Sequence, residues 1–100
     1  MQKLRVYGLS MKFYRQILAL KFPRHLSSQI RRASSSVVEN IAEGSARRTK
    51  LDQRRFYVIA YSSACESKSI LEMAEITDIG VLDCADHLCA SLYRLSHSSV

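Results

Sequence analysis

Residues 29–44 read QIRRASSSVVENIAEG, and two stripes at helical spacing run through them. Ile30, Ala33 or Ser34, Val37, Ile41 and Gly44 step by three and four residues, as the buried seam of a helix does. The adjoining stripe is Gln29, Ala33, Ser36, Asn40 and Glu43. Amides and carboxylates that close to a core need partners, because burying a polar group without a hydrogen bond costs ~1–3 kcal/mol. A helix of this pattern dictates what lies opposite it, and so fixes the architecture of the chain.

Working outward, Ser27 or Ser28 is suited to cap this helix, which is expected over 27–46. Gly44-Ser45 starts its exit. Thr49 with Asp52 three residues on forms a capping box with Asp in place of Glu, and opens a helix expected over 49–77. Phe56, Ile59, Ser63, Glu66, Ile70 and Met73 are its expected seam, and Gly80 its expected stop. Leu82, Ala85, Leu88 or Cys89, Leu92 and Leu95 then predict a helix over 82–96, with Asp83 and Asp86 suited to the positive end of its dipole. On the other side, Phe22-Pro23 closes a first helix expected over 3–21, since the residue before proline avoids the helical region. That helix has two apolar series, Leu4-Tyr7-Met11-Tyr14-Leu18 and Val6-Leu9-Phe13-Ile17-Leu20. One partner face needs only one series, so the surplus, led by Tyr7, Phe13, Tyr14 and Ile17, is expected at a subunit interface.

One hundred residues, 47% hydrophobic, suffice for a single domain over 1–100. With one Pro and three Gly, the chain lacks the turn residues that strands require. No apolar run approaches the ~20 residues of a membrane span, and the basic start lacks the apolar region of a secretory signal. A cytoplasmic location is expected, which suits three cysteines without framework spacing. The net charge of +6 is unevenly spread: residues 1–55 carry thirteen basic and three acidic side chains, the rest two basic and six acidic. This points to a polyanionic partner or to pairing between the halves.

Short connections make successive helices antiparallel neighbours, so the fold expected is an all-α, antiparallel up-down-up-down four-helix bundle. If the second and third helices fold back about Arg48, Asn40 meets Phe56, Val37 meets Ile59, Ala33 meets Ser63 and Ile30 meets Glu66. Glu66 then falls beside Gln29 and Arg32, and Glu43 near Gln53, within reach of Arg54 or Arg55.

Phe22-Pro23, Gln29-Ile30-Arg31-Arg32-Ala33, Ser36, Asn40-Ile41-Ala42-Glu43-Gly44, Arg47, Arg55-Phe56, Ile59-Ala60, Ser63 and Glu66 together resemble the signature of the four-helix bundle proteins encoded in intervening sequences of bacterial 23S ribosomal RNA genes. The likeness spans nearly the whole chain and is most specific from Phe22 to Glu66; Ser62 stands where Gly is common. The resemblance implies a homo-oligomeric ring, a pentamer, and no enzymatic activity. A more distant resemblance, to the accessory variability protein of diversity-generating retroelements, implies nucleic-acid binding and a nucleic-acid enzyme as a candidate partner.

The candidate sites each have a plainer reading. Asn40, Glu43 and Glu66 could serve as catalytic groups, but with Gln29 and Arg32 they read better as a structural polar network that fixes register. A di-metal bundle needs Glu-x-x-His pairs, which are absent. Cys84-x-x-His87-x-Cys89 spreads its cysteines ~140° apart on a helix, so they read as core rather than zinc ligands. Arg94-x-x-His97 does not meet the Arg-x4-6-His spacing of a helical ribonuclease of the HEPN kind. No catalytic residue, metal or cofactor is therefore expected. In an up-down bundle one end collects Lys3, Arg5, Arg47, Arg48, Lys50, Arg54, Arg55 and Arg94 against Glu43 and Asp52. At the other end Lys21, Arg24, Arg31 and Arg32 meet Glu72, Glu75, Asp78, Asp83 and Asp86. The expectation is a non-enzymatic homo-oligomer that binds RNA or DNA through Lys3, Arg5, Arg47, Arg48, Lys50, Arg54 and Arg55. The alternatives are a structural or adaptor assembly without nucleic acid, and a small helical ribonuclease.

Overall fold

The computed structural model describes residues 2–97. Four helices follow one another: α1 (Gln2–Ala19), α2 (Arg24–Ser45), α3 (Lys50–Met73) and α4 (Ile79–Ser96). They pack as α1 on α2, α2 on α3, α3 on α4, with α1 on α4 closing the bundle. The up-down arrangement expected from the short connections is the one found, in a body of 40 × 22 × 18 Å.

Three helix ends differ from expectation, each for a local reason. The first connection is Leu20 to Pro23, and α2 starts directly after the proline: the Pro23 carbonyl accepts from Leu26 N and Ser27 N at 2.9 and 3.1 Å. Ser27 and Ser28 therefore lie within the helix, and no side chain caps its start. The start of α3 is as read, with Thr49 Oγ1 accepting from Asp52 N at 3.1 Å. Its end comes at Met73, well before Gly80. Glu75 takes the left-handed conformation (φ 56°), its N–H reaching Glu72 O while Ile76 N reaches Leu71 O. That is a Schellman stop with glutamate in the place usually taken by glycine. Asp78 then caps α4 through Oδ1 to Val81 N at 3.0 Å. Gly80 thus lies within α4, and Asp83 and Asp86 fall beyond its first turn.

The core confirms the decisive stripe of α2: Ile30, Ala33, Ser34, Val37, Ile41 and Gly44 are all buried. On α3 the buried face is one residue on from the expected seam, running Tyr57, Ala60, Ala64, Ser67 and then Ile70 and Leu71. Ile59, Met73 and Glu66 are exposed. The bulky residues of α3 suggested the wrong face, because small ones line the tightest seam. A Cβ on Gly44 would lie 2.9 Å from Tyr57 Cε1 and 3.0 Å from Phe56 Cβ. Such close approach makes α2 against α3 the most extensive contact in the bundle. Buried Ser34 and Ser67 satisfy their hydroxyls on carbonyls of their own helices, at Ile30 and Ser63.

Of the two apolar series on α1, the one containing Val6, Phe13 and Ile17 faces the core, with Phe13 and Ile17 each 1% exposed. The assignment of Phe13 and Ile17 to a subunit interface is thereby corrected; each helix of a closed bundle needs one fully buried series, and this is it. The surplus is the other series, with Leu4 71%, Tyr7 37% and Leu18 45% exposed, and Met11 and Tyr14 half-buried.

Candidate nucleic-acid interface

The basic end is assembled by topology. The up-down topology puts the start of α1 and the start of α3 at the same end of the bundle, where the long Lys3 side chain reaches across and its Nζ donates to Gln53 Oε1 at 3.1 Å. Gln53 Nε2 in turn donates to Arg47 O at 2.9 Å, holding the α2–α3 corner to the same place. Arg47 pairs with Glu43 one turn back on α2, and its guanidinium lies 4.7 Å from the centre of the Phe56 ring. Arg55 pairs loosely with Asp52 at 3.5 Å. Arg48 and Lys50 are exposed, and neither forms a salt bridge among the described residues. Arg54 and Arg55 line a shallow apolar groove with Leu51, Val58 and Ile59. The two acids of this end are thus engaged by Arg47 and Arg55, and Arg48 and Lys50 stand exposed beside them without a carboxylate partner among the described residues.

The polar stripe behaves only partly as expected. Asn40 Nδ2 donates to Ser36 O at 2.8 Å and to Ser36 Oγ at 3.1 Å, and Ser36 Oγ meets Ser63 Oγ across the helix pair at 2.9 Å. A relay from α2 to α3 is therefore present, through serine. Gln29, Arg32 and Glu66 are exposed, and among the described residues no hydrogen bond or salt bridge joins them. Glu43 belongs to Arg47 instead of Gln53, Arg54 or Arg55. The folding-back rule set Ser63 opposite Ala33, whereas it faces Ser36, about one turn nearer the corner. Side chains on both helices lean toward their own N-termini, which shifts facing pairs by about one position on each strand of an antiparallel pair. Counting backbone levels alone omitted this lean.

The remaining chemistry-bearing residues are dispersed. Cys84 is buried against α1, its Sγ 3.9 Å from Leu9 O, and burial raises its thiol above the ordinary range. Cys89 belongs to the α3 side. Tyr61 and Tyr93 meet edge to face at 5.7 Å, and Lys68 binds Asp86 at 2.8 Å. Cys65 and Cys89 lie midway between these two rungs, and burial, reinforced by Cys65, pushes Cys89 up to about 11. His87 is exposed, so the three members of the candidate zinc motif point in different directions. Arg94 turns to Ser91 Oγ at 3.3 Å, while His97 stacks on Tyr93 at 3.9 Å.

One feature had no signal in the sequence. Between α1 and α4, the thinnest seam of the bundle, lies a groove of about 390 Å³ lined by Arg5, Val6, Gly8, Leu9, Lys12, His87, Ser91 and Arg94. A Cβ on Gly8 would meet nothing within 4 Å. The walls of the groove come from segments some 80 residues apart in sequence, so no local pattern could have revealed it.

A closed antiparallel four-helix bundle with a small-residue α2–α3 seam and its positive charge gathered at one end is the class these observations define. The chain belongs to the 23S rRNA-intervening sequence protein family, whose model matches residues 2–98. No curated protein matches it. Among the described residues no helix is long and apolar enough to cross a membrane.

Proposed function

We propose that this chain is a non-enzymatic, cytoplasmic, homo-oligomeric bundle that binds RNA or DNA through its basic end. The observation that carries this reading is the gathering of Lys3, Arg47, Arg48, Lys50, Arg54 and Arg55 at one corner, where the acids nearby among the described residues, Glu43 and Asp52, are already engaged. Phosphate contact of this kind is electrostatic and blind to sequence; its signature is a steep fall of affinity with salt as condensed counterions are released. Assembly into a ring, a pentamer by family resemblance, would present several such corners together. Support for assembly comes from the apolar side chains left outside the core, Leu4 and Leu18 on α1 and Leu51, Val58 and Ile59 on α3. The same stripes are what a purely structural assembly would need.

A salt titration of fluorescent RNA and DNA oligonucleotides tests the reading, alongside light scattering before and after nuclease. Changing Arg48 and Lys50 to Glu should weaken binding to unrelated sequences about equally and lower the salt slope by roughly one unit per lost contact. Changing Arg24 and Arg31, at the end where acids compensate, should matter less. Equal losses from the two double variants would defeat the polar-end reading, and no binding at low salt would favour the structural assembly.

A further inference from the structure

The α1–α4 groove is built from two short segments running in opposite directions. On α1, Arg5, Gly8 and Lys12 share a face at the i, i+3, i+7 spacing; on α4, His87, Ser91 and Arg94 share one at i, i+4, i+7. Cys84 Sγ lies 3.9 Å from Leu9 O across this seam, and Arg94 Nη2 donates to Ser91 Oγ at 3.3 Å, so the Arg94 guanidinium turns back beside Ser91. On the α1 wall Arg5 and Lys12 stand about 10 Å apart along the helix with Gly8 between them, and α4 adds Arg94 and His87 to the same lining.

Three permanent cations around one cavity repel each other unless something negative joins them. Residues 1–38 include no Asp or Glu, so α1 supplies no carboxylate of its own. Among the described residues, Arg5, Lys12 and Arg94 form no salt bridge. Between the charged ends, Val6 and Leu9 present apolar surface, and the bare backbone at Gly8 leaves a flat place beside them. The volume falls within the range of small-ligand sites, which pair an apolar bed with a few placed polar groups.

We propose that this groove binds a nucleotide, its phosphate held by Arg5 and Arg94 and its base lying flat over Gly8, with the base edge toward Lys12 and His87. Two guanidiniums lining one groove suit a phosphate because each offers a planar fork of donors to its oxygens, and Arg94 keeps further donors beyond the one it gives Ser91. The middle of the groove admits a planar ring because Gly8 has no side chain. The site is distinct from the 47–55 corner and does not depend on it. Free nucleotide and the 5′-phosphorylated end of an RNA present the same chemistry.

Calorimetric titration with AMP, adenosine and inorganic phosphate tests the site. AMP should bind at least tenfold more tightly than either fragment at low salt. Gly8→Leu, which fills the middle without changing charge, should remove that advantage, and Arg94→Glu should abolish binding of AMP. The Arg48→Glu, Lys50→Glu double variant should bind AMP as the wild type does, so failure here is separable from failure of the corner reading. A 5′-phosphorylated oligoribonucleotide that binds at least tenfold better than its 5′-hydroxyl counterpart, with Gly8→Leu erasing the difference, identifies an RNA end as the source; equal binding of the two, with AMP bound, identifies the free nucleotide. The proposal is overturned if AMP binds no better than phosphate, or if Gly8→Leu binds AMP like the wild type while circular dichroism shows it folded.

Discussion

Replacing Gly44 and Gly8 by alanine should move stability in opposite directions, although both glycines are helical. In each helix the added methyl removes a glycine penalty of about 0.5–1 kcal/mol. At Gly8 nothing opposes it, since a Cβ there meets no atom within 4 Å. At Gly44 the methyl would lie 2.9 Å from Tyr57 Cε1 and 3.0 Å from Phe56 Cβ, and the latter is anchored to the α3 backbone. Relief requires α3 to back away or the Tyr57 ring to turn, which also strains its 3.2 Å contact with Ser45 Oγ. Overpacking of this kind costs about 1–3 kcal/mol. Set against a propensity gain that is smaller this near the end of α2, the net change at Gly44 should be a loss of about 1–2 kcal/mol. At roughly 4–8 °C per kcal/mol for a chain of this size, Gly44→Ala should melt about 5–15 °C lower. Gly8→Ala should melt about 3–6 °C higher on the same scale. Thermal melts followed by circular dichroism, with urea midpoints at fixed protein concentration, make the comparison. A Gly44→Ala variant as stable as Gly8→Ala would refute the close α2–α3 approach on which the described packing rests.

Three further outcomes are expected. Glu75→Gly should stabilise by about 0.5–1 kcal/mol, because the left-handed conformation burdens any residue with a Cβ, and urea unfolding will show the sign. For Cys89 the folded state raises the thiol from its ordinary 9.0 to about 11 and so favours the protonated form. Its stabilising contribution is therefore complete below pH 9 and lost as pH rises to 11; alkylation by iodoacetamide, read residue by residue by mass spectrometry, should be slow at pH 8 and accelerate across that window. Leu4→Glu with Leu18→Glu should dissociate the proposed assembly while leaving helix content unchanged, as light scattering and circular dichroism together will report.

Where one stripe of a helix was clearly apolar and its neighbour clearly polar, as in residues 29–44, the buried face could be read without a structure. The caps at Thr49 and the break at Pro23 were legible because their chemistry is local. The failures came where two answers satisfied the same pattern. Both series on α1 have core-like spacing, and only the presence of neighbouring helices decides that Phe13 and Ile17 go inward while Leu4 and Leu18 stay out. On α3, Ala60, Ala64 and Ser67 carry little hydrophobic signal, yet they form the closest seam. The stop at Glu75 was hidden because the backbone there adopts a shape that glycine favours, and Gly80 offered itself nearby. The basic corner was legible since it needs only topology and charge; the engagement of Arg47 by Glu43 and Phe56 needs side-chain positions, as does the groove at Gly8.

The unevenness of the four helix contacts bears on how the bundle comes apart. Partial openings of a protein begin where the fewest contacts must break. The α2–α3 pair is locked at Gly44 and bridged at Ser36 and Ser63, whereas α1 meets α4 across a gap and carries an apolar stripe already facing water. The first excursion from the native state should therefore be α1 peeling away, which uncovers the slots of Val6, Phe13 and Ile17 on the remaining three helices. An empty set of slots shaped for α1 accepts α1 from any copy, so the same weak seam that admits a groove also makes helix exchange between neighbouring molecules the least costly way for this chain to entangle with itself.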